Sequence, residues 1–430
     1  MAAFEDAFWT AGGETGLPSR DRRSGPYRTY RPDPLGGRPL VVDPVVSRRI
    51  SEVERSIRRI AGGTTGVDLE GLSRFLLRSE AVASSFIEGI APSSANVAVA
   101  ELAQTEDVQR VGDQAQLVAR NITIVARATE ELVALDEVTV DDVVRLQSSL
   151  IHEERHHGVR VVQNWIGGSN WHPLEAQFVP PPPDHVDGLM ADLLDYVNGS
   201  HHAPLVQAAL VHGQFETIHP FTDGNGRVGR ALIHTVLARR GLTRQAVLPI
   251  SLVLSTLREE YVGGLTSYRF EGLPDAQAAL SGTQRWIQTF VEAAAVAVQQ
   301  ASELATAVGD LRTEWDERLA RHRAGRGVRE VPRSGSATAR LLALLPEAPV
   351  VTARTVERVL GVSYPAANAA VQDLAEAGIL RARQLNRGTT GYLATEVLDL
   401  VDLTERQLAS TAFDTRTSPP NRPVPARRQF

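Results

Sequence analysis

The stretch His219-Pro220-Phe221-Thr222-Asp223-Gly224-Asn225-Gly226-Arg227-Val228-Gly229-Arg230 packs a histidine, an acid, an amide and two arginines around closely spaced glycines, all within twelve residues. Each of these types suits work on a phosphate ester. Histidine is the side chain whose ordinary pKa fits proton transfer near neutrality. The Asp223 carboxylate is a hard oxygen ligand for Mg²⁺, an ion that commonly bridges one carboxylate and substrate phosphates. Arg227 and Arg230, three apart, share a helix face and can fork onto phosphate oxygens, and Asn225 can donate to another. Gly224 and Gly226 permit the positive φ angles and close backbone approach of an anion nest. Glycines also serve plain tight connections between helices. The density of chemistry in so short a run is what favours a site.

The elements that must position these groups can be read from periodicity. The loop falls between predicted helices at about 203–218, with Leu205, Ala209, Phe215 and Ile218 inward, and 226–240, with Leu232, Ile233, Val236 and Leu237 inward. A loop entering a helix N-terminus turns backbone amides and the helix dipole towards an anion. Upstream, Val46, Ile50, Val53, Ile57 and Ile60 mark a helix stopped by Gly62-Gly63, and a second spans about 68–88. Further helices are expected at about 107–133, 138–150 (capped by Asp136 or Thr139), 184–198, 251–263 and 275–320. Helical spacing fails over 158–183, where short β-type segments flank Gly167-Gly168-Ser169-Asn170 and end at Pro180 to Pro183; a small hairpin is expected.

These readings divide the chain into an irregular N-terminal arm (1–40), an N-terminal helical region (41–135), a catalytic core (136–318), a linker (319–335), a compact module (336–402) and a disordered tail (403–430). In the module, Thr352 to Ser363 reads as helix and turn. Tyr364 to Ala377 follows as a recognition helix, and two strands close the pattern, the order of a winged helix-turn-helix. Its basic residues cluster in the wing as Arg381, Arg383 and Arg387, while the recognition helix carries none. DNA binding and protein docking or dimer formation both stay open.

Composition narrows the classes. Of 430 residues, 43% are hydrophobic and 22% charged, and the formal net charge of −6 does not suggest a nucleic-acid-coating or membrane-coating protein. The absence of cysteine excludes disulfides, thiolate nucleophiles and cysteine metal sites and fits a reducing compartment. No signal peptide and no spanning helix is read, so a cytoplasmic protein with no membrane partner is expected. His152, His156, His157, His172, His201 and His202 lack a pair-plus-carboxylate arrangement on one helix face and are read as solvated or locally bonded. His212 and His234 lie on apolar helices and are read as core residues. Trp165 and Trp171 could stack on a base, but packing is the expectation.

The run from His219 to Arg230 resembles the Fic-family signature HPFx[DE]GN[GK]RxxR at every defined position. The resemblance implies a mainly α fold: a Fic-type helical core with a small β-hairpin flap, here followed by the winged helix-turn-helix. It implies a protein adenylyltransferase that moves AMP from ATP, with Mg²⁺, onto a Ser, Thr or Tyr hydroxyl of a protein, itself included. His219 would be the general base and Asp223 the Mg²⁺ ligand. Gly224, Asn225 and Gly226 would hold the α- and β-phosphates, Arg227 the β- and Arg230 the γ-phosphate. Phe221 would be a buried anchor, and Pro220 would stiffen the turn. Glycine at 226 matches nucleotidyl-transferring members rather than the kinase-like branch.

Ser84 and Glu88, four apart before Gly89, share a helix face and in isolation describe an exposed helix end. They also resemble the family's inhibitory motif [ST]xxxE[GN], which implies that Glu88 pairs with Arg230 and hinders ATP. Trp165, Ile166, Gly167 and Gly168 resemble the family's flap, which aligns an extended target segment by main-chain pairing. Two rival readings keep the same residues: a phosphodiesterase that removes AMP from a modified protein, and a nucleotide-sensing DNA-binding regulator.

Overall fold

A computed structural model describes residues 1–12, 18–61, 72–109, 111–199, 202–243 and 247–402. The expected tail, the Gly62-Gly63 stop and His201 lie outside the described residues. In chain order the elements are β1 (Ala3–Trp9), β2 (Gly25–Arg31), α1 (Pro44–Ala61), α2 (Ser73–Ile87), α3 (Ser94–Ala103), α4 (Asp113–Ala134), α5 (Val140–Leu150), α6 (Pro183–Asn198) and α7 (Pro204–Ile218). There follow α8 (Asn225–Arg239), α9 (Ile250–Thr256), α10 (Arg258–Tyr268), α11 (Gln277–Gly325), α12 (Ala337–Leu344), β3 (Val350–Val351), α13 (Ala353–Leu360), α14 (Tyr364–Glu376), β4 (Arg381–Asn386) and β5 (Thr389–Leu393). The fold is mainly α, as predicted. The chain forms two compact units: Met1–Ser73, Arg120–Leu248 and Glu259–Val298 make the first, and Arg74–Ala119, Pro249–Arg258 and Gln299–Phe430 the second.

The first unit is built around α7 and α8. All of α7 is buried, which suits its nearly uninterrupted apolar and small sequence PLVQAALVHG. The two helices approach closely because Gly229 faces α7. A Cβ there would sit 2.8 Å from Glu216 Oε1 and 2.9 Å from Phe215 Cδ1. On the other side of α7, Trp286 of α11 lies against Gly213 and donates its indole N–H to Ala209 O at 2.7 Å. A Thr139–Asp142 capping box starts α5, selecting Thr139 over Asp136 as the cap.

The stretch predicted as an irregular arm is an antiparallel pair, β1 with β2, in register from Ala3 opposite Arg31 to Trp9 opposite Gly25. Its strand character comes from tertiary support. Tyr30 is buried, its hydroxyl donates to Phe270 O at 2.6 Å, and Ala2 bridges Gly272.

In the second unit the β3-β5-β4 sheet carries Tyr392 towards α14, where Gln372 donates to its hydroxyl at 2.7 Å. Leu393 and Val350 pack with Ala98, Val99 and Leu102 of α3. That helix was missed in the sequence. Ser93 caps it, but six of its ten residues are buried, so no apolar stripe stands out. The predicted linker is also shorter, since α11 runs on to Gly325. Arg323 and Arg326 near its end pair with Asp373 and Glu376 of α14. The helix predicted over 251–263 is broken into α9 and α10.

Candidate active site

The chemistry-bearing loop is the connection from α7 to α8. His219 caps α7 in the left-handed conformation, φ 50° and ψ 60°, and is the one non-glycine residue at positive φ among the described residues. L-residues rarely hold this conformation without outside restraint. Here the restraints are visible. His219 N donates to Phe215 O at 2.8 Å. His219 O accepts from Arg160 Nε at 2.9 Å and from Asn164 Nδ2 at 3.2 Å.

Gly224, at φ 85°, is the residue before α8, and a Cβ there would meet Leu150 Cδ2 at 3.0 Å. The positive φ favours glycine here, and a side chain would also press on Leu150. Gly226 differs from the expectation: it lies in the first turn of α8 in helical conformation and is buried. The first amides of an α-helix have no acceptor within the helix, so the start of α8 is the kind of end that can receive an anion.

Asn225 has a partner that the sequence did not indicate. Its side chain closes a ring on the loop itself, accepting from Phe221 N at 2.9 Å and donating to Phe221 O at 2.8 Å. The side chain thus braces the loop, with one N–H of its amide beyond these two contacts. Phe221 is fully buried beside Phe215, ring centroids 6.1 Å apart, which matches its predicted anchoring role. Burying such a ring contributes about 1.5–3 kcal/mol.

Asp223 carries a side chain 55% exposed, with Arg227 Nη2 3.3 Å from its carboxylate, while Arg227 itself is buried. Gln147 of α5 donates to Asp223 O at 3.2 Å and His156 Nδ1 meets Thr222 Oγ1 at 3.0 Å, fixing the outer side of the loop. Arg230 is buried in the second turn of α8. Beneath it, His212 stacks on Tyr261 and its Nε2 lies 2.8 Å from that hydroxyl. Burial, with the Arg230 and His234 charges adding to it, lowers the His212 pKa to about 3, so it is neutral and structural, as read from its apolar helix.

The predicted hairpin contracts to one antiparallel bridge, Ile166 with Phe178. Gly167 and Gly168 turn the chain at φ 74° and 75°, and Gly168 has no room for a side chain, since a Cβ would fall 2.4 Å from Glu175 O. Ile166 packs against Tyr30 and Phe178 in a cluster with Phe270. Trp165 packs edge-on against Trp9 at 5.4 Å and donates to Ser169 O, the packing role expected of it. His157 is bound to Ile151 O, in line with local bonding, whereas His172 departs from that reading: it is buried and bound to Arg20 O, 152 residues away in the chain. Among the described residues no group of three or more potential ligand side chains could hold a metal.

Ser84, Glu88 and Gly89 lie in the second unit. Glu88 is the last residue before Gly89, whose φ of 79° ends α2, and Ile90 N returns to Ser85 O at 3.1 Å. Sequence reasoning missed Arg160 and Asn164. The one available signal was polar residues placed just ahead of the Gly-Gly turn.

Residues 137–237, which hold the whole α7–α8 loop, match the Fic/DOC family model. A relative from Aquifex aeolicus (strain VF5), described as a "Probable protein adenylyltransferase", is 30% identical over 199 residues, 46% of this chain and 59% of the relative. Protein adenylyltransferase fic-1 of Caenorhabditis elegans is 27% identical over 132 residues, 29% of this chain and 23% of the relative. The chain thus spans three fifths or less of the length of these relatives. A solved Fic family protein from Desulfovibrio desulfuricans G20 is 22% identical, with a TM-score of 0.48 over 83% of this chain and 97% of that one.

Proposed function

We propose that this chain is a protein adenylyltransferase, moving AMP from ATP to a serine, threonine or tyrosine hydroxyl of a protein, itself included. The observation that carries the reading is the loop geometry: an imidazole locked at the end of α7 shares six residues of chain with the open amide end of α8. His219 takes the proton from the acceptor hydroxyl as its oxygen bonds to the α-phosphorus. The bond from that phosphorus to the β-phosphate bridge breaks, and diphosphate leaves. The backbone at Gly224, Asn225 and Gly226 receives the α- and β-phosphates, Arg227 the β- and Arg230 the γ-phosphate. Asp223, a half-exposed carboxylate at the loop's outer edge, fits a hard cation held by one carboxylate and phosphate oxygens. Mg²⁺ bound there would neutralise charge on the diphosphate.

The proposal includes a brake, Glu88 within Ser84–Gly89, and the flap segment 165–168 as the acceptor guide. It also takes 336–402 as a winged helix that docks a protein. In support of docking, α14 has no cation and its Gln372 amide is already engaged, which weakens a base-reading role. A salt-sensitive gel shift on genomic fragments would reverse that last choice. For the activity, the test is α-labelled ATP with Mg²⁺ and the Glu88→Gly protein. Label on the protein or on a lysate protein, several-fold above the parent and lost in His219→Ala, is the expected result. An absence of label in Glu88→Gly would refute the transferase reading. Equal labelling with and without Glu88→Gly would refute the brake alone. No helix among the described residues is long and apolar enough to cross a membrane.

A further inference from the structure

Arg160 is a buried cation with an unusual set of partners. Its guanidinium donates only to backbone carbonyls: Nε to His219 O at 2.9 Å, Nη1 to Val162 O at 3.1 Å, and Nη2 to Pro181 O at 2.6 Å and Ile218 O at 3.3 Å. Its own N–H donates to Pro220 O at 2.9 Å. No carboxylate lies within ion-pair distance among the described residues, and burial lowers its pKa to about 10, still high enough to keep the charge at neutral pH. Buried charges normally pair with an opposite charge. This one instead gathers the end of α7, the start of the flap and its proline-rich end onto one rigid fork.

Asn164 completes the arrangement, with Nδ2 donating to His219 O at 3.2 Å and Phe221 O at 2.9 Å. The His219 carbonyl therefore accepts from two flap-root side chains at once. That carbonyl is set by the φ and ψ of the residue that bears the imidazole.

We propose that Arg160 and Asn164 are positioning residues: they hold His219 in its left-handed conformation and key the flap to it, so that acceptor hydroxyl and base meet in register. The inference deepens the transferase reading and rests on it for its consequence in turnover. The conformational half stands without it. Loss of the clamp lets the His219 backbone relax to an ordinary conformation and swings the imidazole, while the amide end of α8, held by Asn225 and Gln147, stays in place. Nucleotide binding and transfer should therefore separate.

Asn164→Asp tests this, being nearly isosteric but turning two donor contacts into oxygen facing oxygen. In the full chain with Glu88→Gly, three quantities would be read: ATP affinity, the rate of AMP transfer, and the His219 ring signal by NMR, assigned from its loss in His219→Ala. The expected result is a shifted or split His219 signal, ATP affinity within about two-fold, and transfer about 10- to 100-fold slower. An unmoved ring signal with parental transfer would overturn the proposal. So would ATP affinity and transfer falling together, which marks a general structural role. Should Asn164→Asp not fold, Asn164→Ser and Arg160→Lys remove the same contacts by shortening or thinning the clamp and are judged by the same criteria. If His219→Ala keeps its activity, the base assignment fails, and the ring signal still decides the positioning claim.

Discussion

The α7–α8 loop and the flap are neighbours in the same unit and are held by opposite means. Between His219 and Arg230 the loop is braced by several side-chain bonds. Asn225 bonds Phe221 twice, Gln147 bonds Asp223, and two side chains bond the His219 carbonyl. The flap has one bridge, two left-handed glycines and apolar side chains turned to solvent, with Val161 88% exposed and Val162 and Trp171 also open. The contrast teaches where variation is tolerated. Atoms proposed to meet phosphate lie on a braced loop, while the flap, anchored at its root by Arg160 and Asn164, leaves Val161, Val162 and Trp171 open to solvent.

The largest effect should come from the loop itself. His219→Ala should slow AMP transfer by about 10²–10⁴-fold while leaving the fold intact, measured with labelled ATP against a thermal melt. A residual rate near the parent's would erase the distinction between a chemical loop and a merely structural one.

Next comes the platform under the loop. His212 has its pKa lowered in the folded state, so below the unfolded value near 6.5 the unfolded chain binds the extra proton. Its stabilisation is complete above that pH and is lost as pH falls towards about 3, on the order of a few kcal/mol. Urea midpoints taken from pH 7 to pH 4 should drop less steeply in His212→Gln. Parallel slopes would show that acid attacks elsewhere.

Asn225→Ala removes both contacts to Phe221 and should cost about 1–3 kcal/mol, because a buried N–H and C=O lose their partner. Calorimetry should show that loss. Val161→Ser should change stability by less than about 0.5 kcal/mol, being exposed, yet raise the KM for a protein acceptor and not for ATP. A large melt shift in Val161→Ser would mean the flap is as locked as the loop.

The loop was legible because its residue types state their chemistry at fixed spacing, and Gly224 at positive φ and the buried Phe221 stand as that reading has them. Asn225 was not. An amide looks alike whether it faces a ligand or its own chain four residues back, and only the fold decides. Arg160 sits in a stretch without period, and its carbonyl partners lie 2 to 59 residues away, so no local pattern announces it. The β1–β2 pair eluded reading because β2, with Gly25, Pro26, Arg28 and Arg31, has no strong strand pattern, and the pair rests on distant partners such as Phe270. The two arginines near the end of α11 eluded it because charges pairing with α14 look the same in sequence as a solvated linker.

A left-handed backbone under an imidazole sets usefulness against durability. Glycine or asparagine at 219 would fit φ 50° with less strain than histidine does. Copies released from selection for activity should therefore drift to those residues, becoming silent and sturdier together. His219→Gly melting above His219→Ala would measure how much firmness the working protein forgoes.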